Sequence, residues 1–253
     1  MSNWTILDGD VYVAQPPYGK TVAQGGTGSV DLPFSTINEA INNSLNGEKI
    51  VVGSGLYIES CNLGTRTIQG DGEVIIDQGG ILSSDGITID NGGSISNITF
   101  KNFDTIARAI GSAWSRPINN CRFINCPTPI TGGHIYTNCY FSNFQSSSGR
   151  GQLFNYCTIV NNSVISAGAL SGSFEFNYCH VDSTSQIHRS KTSKGDSFWN
   201  YSNIQGTIYF PNAGDPSPLN LADAQAAAPA QFTSCIDEPP LRSEEHTSEL
   251  QSP

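Results

Sequence analysis

The tetrapeptide Phe-Asn-Tyr-Cys stands at residues 154–157 and again at 176–179, an offset of 22 residues. Aligned on this segment, the chain yields further copies: NITFKN (97–102), NCRFIN (120–125), NCYFSN (138–143), YCTIVN (156–161), YCHVDS (178–183) and YSNIQG (201–206). Their second positions are Ile98, Cys121, Cys139, Cys157, Cys179 and Ser202, spaced 23, 18, 18, 22 and 23 residues apart. A unit this short cannot bury a face alone, so a period of about 20 residues requires the units to stack. Within each unit apolar and variable residues alternate, and an Asn usually follows, which reads as a strand and then a turn. One such strand per unit, laid about 4.8 Å from the next, predicts an all-β solenoid: a single-stranded parallel β-helix.

This register assigns roles. Cys121, Cys139, Cys157 and Cys179 form an inward ladder beside a second one of Phe100, Phe123, Phe141, Ile159, Val181 and Ile204. A buried Cys packs as a small hydrophobe, so these four are expected to be reduced. The seven cysteines include no C-x-x-C pair of the kind that zinc or redox sites use. Asn102, Asn125, Asn143 and Asn161 close their strands and are expected to hydrogen-bond at tight turns.

The front of the chain also reads clearly. Thr36 with Glu39 makes a capping box, and Ile37, Ala40, Ile41 and Leu45 share one helical face. Gly47 is placed to end the helix. An amphipathic α-helix over 35–46 would cover the open N-terminal end of the first coil. Two glycine-punctuated strand segments follow, KIVVGSGLYIES and TIQGDGEVIID.

The stretch GGTGSVDLPFSTINEAINNSLNGEKIVVGSGLYIES (25–60) resembles the opening segment of the pectin-lyase-like superfamily of right-handed parallel β-helices. QGDGEVIIDQGG (69–80) resembles that superfamily's next coil. The resemblance spans about residues 25–206. It implies the right-handed hand and a scaffold that hosts lyases, hydrolases, epimerases, phage tail spikes and non-catalytic adhesins.

The expected organisation is therefore an N-terminal extension (1–24), the β-helix (25–206), and a C-terminal cap or the start of a truncated region (207–241). The last twelve residues, 242–253, look like a translated sequencing adapter and are set aside as artefact. They carry a net charge of −2 out of −10, leaving −8. An acidic chain of this kind argues against nucleic acid and against an anionic membrane surface. The start, MSNWTILDGD, has no basic segment leading an apolar one, so no secretory signal is read there. Ala14–Thr21 fits a loose phosphate-loop pattern, but VAQGGTGS follows where a helix is needed. The sequons at Asn42, Asn161 and Asn200 are read as turn asparagines.

If the cysteines face inward, their neighbours face out. One outward column is Asn97, Asn120, Asn138, Tyr156, Tyr178 and Tyr201. The next is Thr99, Arg122, Tyr140, Thr158, His180 and Asn203, and a third runs Lys101, Ile124, Ser142, Val160, Asp182 and Gln205. Three tyrosines in register beside amides suit a glycan, met by ring stacking and amide hydrogen bonds. The competing reading is cross-strand stabilisation of the sheet. A turn between Asn155 and Tyr156 would instead place Phe154 inside and change which tyrosines are exposed. The glycan-binding candidates are Tyr156, Tyr178, Tyr201, Asn138 and Asn203. No paired-carboxylate motif of a hydrolase is visible, and the base candidates for a lyase are His180, Arg122 and Tyr140, with Asp182 as the one acid in these columns.

These residues lead to three expectations. The first is a non-catalytic module that contacts polysaccharide or a cell-surface glycan. It would be of the phage tail-spike or surface-adhesin kind, located on a virion or cell surface, without cofactor or metal, and able to form a homotrimer. The second is a polysaccharide lyase or glycoside hydrolase, with Ca²⁺ required only in the lyase case. The third is a purely structural repeat protein.

Overall fold

The computed structural model describes residues 9–77, 87–88, 93–103, 110–111, 116–130, 134–148, 152–167, 174–188, 198–200, 202–209, 218–219, 221–227, 232–233 and 235–236. Tyr201 and the 242–253 tail lie outside them. The chain is a right-handed, all-β parallel solenoid. Its first stack begins with Val11–Val13 on Lys49–Tyr57 and Thr67–Asp77. It continues through Ser94–Ser96, Pro117–Asn119, Ile135–Thr137, Gln152–Asn155, Phe174–Asn177 and Phe198–Asn200 to Phe232–Thr233. A second stack joins the end of Thr67–Asp77 to Thr99–Lys101, Arg122–Ile130, Tyr140–Ser148, Thr158–Val160, His180–Val181 and Asn203–Ile204. A third joins the end of Tyr140–Ser148 to Val164–Ala167, Gln186–His188 and Thr207–Tyr209. These pairings are parallel; Thr207–Tyr209 with Pro218–Leu219 is antiparallel.

The repeat unit is a strand, a corner, a short strand and a second corner rather than one continuous strand; the first corner is the alternative turn at Asn155–Tyr156, with Phe154 inside, and Tyr156 and Tyr178 remain exposed. Asn97, Asn120, Asn138, Tyr156 and Tyr178 occupy the first corner with φ of 53–57°. Asn102, Asn125, Asn143 and Asn161 occupy the second with φ of 48–58°. A left-handed residue turns the chain sharply, and Asn tolerates that conformation better than other residues with a side chain. A residue at the first corner shifts the alternation, so the residue two before it and the residue just after it both point inward. Phe154, Cys157 and Ile159 are all buried for this reason.

The interior is a set of one-residue-wide ladders. Ile50, Ile68, Ile95, Ile118, Tyr136, Phe154 and Phe176 are in register and buried. Tyr136 stacks on Phe154 at 5.0 Å, and Phe154 on Phe176 at 4.8 Å. Facing them, Phe100, Phe123 and Phe141 stack at 5.2 and 5.1 Å. The rung spacing of a parallel sheet matches the offset that stacked rings prefer, so backbone and side chains favour the same repeat. Gly70 marks a close approach, since a Cβ there would meet the Asn97 carbonyl oxygen at 2.1 Å.

The N-terminal helix is shorter than the 35–46 expected, spanning Ile37–Asn42. Thr36 Oγ1 accepts the Glu39 N–H at 3.1 Å as its N-cap. The other half of the box is different: Glu39 accepts from the Ser35 and Thr36 hydroxyls and from the Val22 N–H. The helix ends at Asn43, which leaves helical geometry at φ −112°: its N–H is shared between the Glu39 and Ala40 carbonyls, its side-chain amide also donates to Glu39 O at 2.9 Å, and the Ser44 N–H turns to Ile41 O. Leu45 therefore lies beyond the helix, 73 % exposed, and does not share the face of Ile37, Ala40 and Ile41. Glu59 anchors the helix to the first coils by accepting the Ile37 and Asn38 N–H groups and the Asn38 side-chain amide at 2.9–3.0 Å.

Candidate functional site

Each first corner projects its residue from the ridge where two stacks of strands meet. Tyr156 and Tyr178 are in that position on successive coils, 59 and 52 % exposed. Their rings are parallel within 5° at 5.1 Å between centroids. The corners are tied together by the backbone: Tyr156 N–H donates to Asn177 O at 2.8 Å and Tyr178 N–H to Asn200 O at 3.0 Å. At the preceding coils the same station holds Asn138 and Asn120, and the Asn138 amide donates to Asn120 Oδ1 at 2.8 Å. With Asn97 one coil earlier, the described first-corner station is three amides followed by two phenols.

Beside the ridge runs a second amide ladder that the sequence reading missed. Asn177 Nδ2 donates to Asn155 Oδ1 at 2.9 Å, and Asn200 Nδ2 to Asn177 Oδ1 at 2.8 Å. Its signal was in plain view, the Asn that precedes Tyr in both copies of Phe-Asn-Tyr-Cys and again in Trp199-Asn200-Tyr201.

The other side of the ridge carries the column Thr99, Arg122, Tyr140, Thr158, His180 and Asn203, in register as drawn from the sequence. The Arg122 guanidinium lies 5.2 Å from the centroid of the Tyr140 ring, a cation–π contact. His180 is half-buried, and its Nδ1 is buried without a hydrogen-bond partner among the described residues. Asn203 is half-buried in the following coil. This column brings Arg122, Tyr140 and His180 onto one face but holds no carboxylate.

Asp182 faces the turn that follows its strand. Its carboxylate accepts from Asn161 N–H at 2.9 Å, Thr184 N–H at 3.2 Å and Ser185 Oγ at 2.7 Å, with Thr184 Oγ1 also in contact. Burial pushes this carboxyl up, but the hydrogen bonds together outweigh it and hold it below its ordinary range. On the same line Asp77 stands five rungs away, about 24 Å at about 4.8 Å per rung. Paired glycosidase carboxylates sit about 5–10 Å apart, so these two cannot form such a pair.

The remaining sequence candidates form the frame of the site. Cys121, Cys139, Cys157 and Cys179 are buried and free. Cys157 Sγ donates to Asn155 O at 3.4 Å, and Cys179 Sγ to Asn177 O at 3.4 Å. Burial pushes the Cys121 and Cys157 thiols well up, so both stay protonated. At the second corner, Asn125 Nδ2 donates to Asn102 Oδ1 and Asn143 Nδ2 to Asn125 Oδ1, both at 3.3 Å. Asn102 Nδ2 donates to Asp77 Oδ2 at 2.9 Å, while Asn161 Nδ2 turns to Ser142 Oγ at 2.9 Å. No group of three or more His, Cys, Asp or Glu side chains suited to a metal ion is found among the described residues.

No known family's model matches the sequence, and no curated protein matches it. A solved structure does: the pectin methylesterase of Aspergillus niger is 17 % identical, with 85 % of this chain and 84 % of that one covered at a TM-score of 0.51. At that identity the likeness is one of fold, and it agrees with the parallel stacks and the opening-segment resemblance. The chain has the pectin-lyase-like, right-handed parallel β-helix fold.

Proposed function

We propose that this chain is a non-catalytic β-helix module that contacts polysaccharide along the ridge of Asn120, Asn138, Tyr156 and Tyr178. One observation carries the reading. A left-handed corner suits Asn, and Asn holds the station on earlier coils; an ordinary residue there loses about 1–2 kcal/mol. Tyr replaces Asn on two successive coils and is more than half exposed on both. Ring–ring stacking returns about 0.5–1.5 kcal/mol, which leaves little net gain to the fold from a pair of exposed aromatics. An unfavourable backbone state held at an exposed surface points to a use outside folding.

The geometry also revises the mode of contact. Rings 5.1 Å apart and parallel leave no gap for a sugar between them. A glycan would meet ring edges and phenolic hydroxyls, with the Asn155–Asn177–Asn200 amides alongside. The solved pectin methylesterase of like fold makes pectin a natural member of the test panel. Within this reading the chain works as part of a tail spike or adhesin, and self-association into a trimer is a property to be measured by light scattering.

The test is affinity gel electrophoresis of the protein and of Tyr156→Asn/Tyr178→Asn in gels containing pectin, polygalacturonate and neutral polysaccharides. Asn is the corner's own residue, so the double variant should fold with its thermal midpoint little changed while retention is lost. Retention equal to that of the unsubstituted protein, or no retention of the unsubstituted protein on any gel, would overturn the proposal. Release of unsaturated or new reducing ends would move the assignment to catalysis by the Arg122–Tyr140–His180 face.

A further inference from the structure

We propose that Tyr156 and Tyr178 form an oxidative modification site, at which a haem peroxidase and hydrogen peroxide couple the two rings into an intrachain dityrosine. The inference does not depend on what the ridge binds. Three observations carry it: parallel rings at 5.1 Å, exposure of more than half of each side chain, and backbones fixed on adjacent rungs by the Tyr156 N–H to Asn177 O bond. Coupling two phenols in solution requires two short-lived radicals to meet. Holding the partners in contact turns that encounter into an intramolecular step.

The chemistry balances. Each phenol gives up one electron and one proton, leaving two phenoxyl radicals. The radicals join through the ring carbons ortho to the hydroxyls. Each joined carbon then loses its hydrogen as a proton while its ring oxygen regains one, which restores both aromatic rings. The chain loses two hydrogen atoms in total, and one hydrogen peroxide is reduced to two waters. The bond forms at the outer, exposed ends of the rings, where they can tilt together while the Cα atoms stay one rung apart.

Among the tyrosines whose side chains the structure describes, the others are placed less well. Tyr12, Tyr57 and Tyr136 are buried. Tyr140 is half-buried with the Arg122 guanidinium on its ring. Tyr18 is 77 % exposed but makes no ring contact among the described residues. A radical at Tyr18 would therefore couple between molecules, producing dimers that increase with protein concentration.

The experiment treats the full chain, at micromolar concentration, with a haem peroxidase and limiting peroxide. Dityrosine fluorescence, intact mass and peptide mapping are followed, with free N-acetyltyrosine coupled in parallel as the control. The expected result is dityrosine emission from a chain that stays monomeric on a denaturing gel. The mass falls by two hydrogens, and the cross-link maps to Tyr156–Tyr178. Tyr156→Phe and Tyr178→Phe keep ring stacking and fold, and each should lose the intrachain cross-link. The proposal is overturned if the cross-link forms only between chains, if it maps to another pair, if Tyr156→Phe leaves its yield unchanged, or if the control couples while the protein does not.

Discussion

Replacing Asn125 by Gly and by Ala separates the two roles of a second-corner residue. Asn125 sits at φ 55° and joins the ladder through two side-chain bonds of 3.3 Å. Both variants lose those bonds; at that length and exposure each is worth about 0.5 kcal/mol. Ala also enters the left-handed region, which costs about 1 kcal/mol more than Asn there. Gly has no such penalty and instead loses about 0.5 kcal/mol of chain entropy, partly offset by relief of the strain Asn itself carries. The expected losses are about 2 kcal/mol for Asn125→Ala and about 1 kcal/mol for Asn125→Gly. With a urea slope near 3 kcal/mol/M, the unfolding midpoints fall by about 0.7 and about 0.3 M. Equilibrium urea unfolding followed by circular dichroism reads both shifts. A Gly variant no more stable than the Ala variant would show that backbone conformation is not what selects Asn at this corner.

Further outcomes follow from the same geometry. Cys157→Ser should lose no more than about 1 kcal/mol, because Ser202 holds this station on a later coil and bonds the Phe176 and Asn200 carbonyls at 3.3 and 3.0 Å; a loss above about 3 kcal/mol in urea would contradict the equivalence of the stations. Asp182 lends stability that is present above the unfolded carboxyl value of about 3.9 and is lost as pH falls through its lower folded value. Asp182→Asn should accordingly flatten the fall in melting temperature below about pH 4, and an unchanged acid profile would refute that.

The fold was legible because its strongest signal is a period, and a period survives ignorance of individual conformations. The same offset that aligned the two Phe-Asn-Tyr-Cys segments placed Tyr156 and Tyr178 on one station, and the structure stacks them. The corner at that station was legible only as an alternative, a turn between Asn155 and Tyr156 with Phe154 inside. Asn97, Asn120 and Asn138 suggest a left-handed turn, but Tyr156 and Tyr178 have no such preference, and alternation alone reads equally well through them. That single residue per coil changes which side of the ridge a side chain faces, and it brought the Asn155–Asn177–Asn200 ladder beside the tyrosines. The helix end was misjudged for a local reason: Leu45 fits the helical period, yet the backbone leaves helical geometry at Asn43, and the Ser44 N–H turns to Ile41 O. His180 and Arg122 share a face because register is inherited from the repeat, whereas the bonds that engage Asp182 depend on a turn no period describes.

The amide ladders have a direction. At the second corner Asn143 donates to Asn125, Asn125 to Asn102 and Asn102 to Asp77, always toward the N-terminal coil. The amides at Asn138, Asn177 and Asn200 point the same way. At the second corner the foot of the file is Asp77, a carboxylate that accepts from the last amide. The solenoid therefore has a molecular polarity independent of its termini. An extra coil bearing Asn at this corner can be spliced in anywhere between Asn102 and Asn143 with every donor still meeting an acceptor, while a carboxylate is suited to the foot alone. Length is then a free parameter of this scaffold, and the direction in which it can be extended is set by which way a row of side-chain amides points.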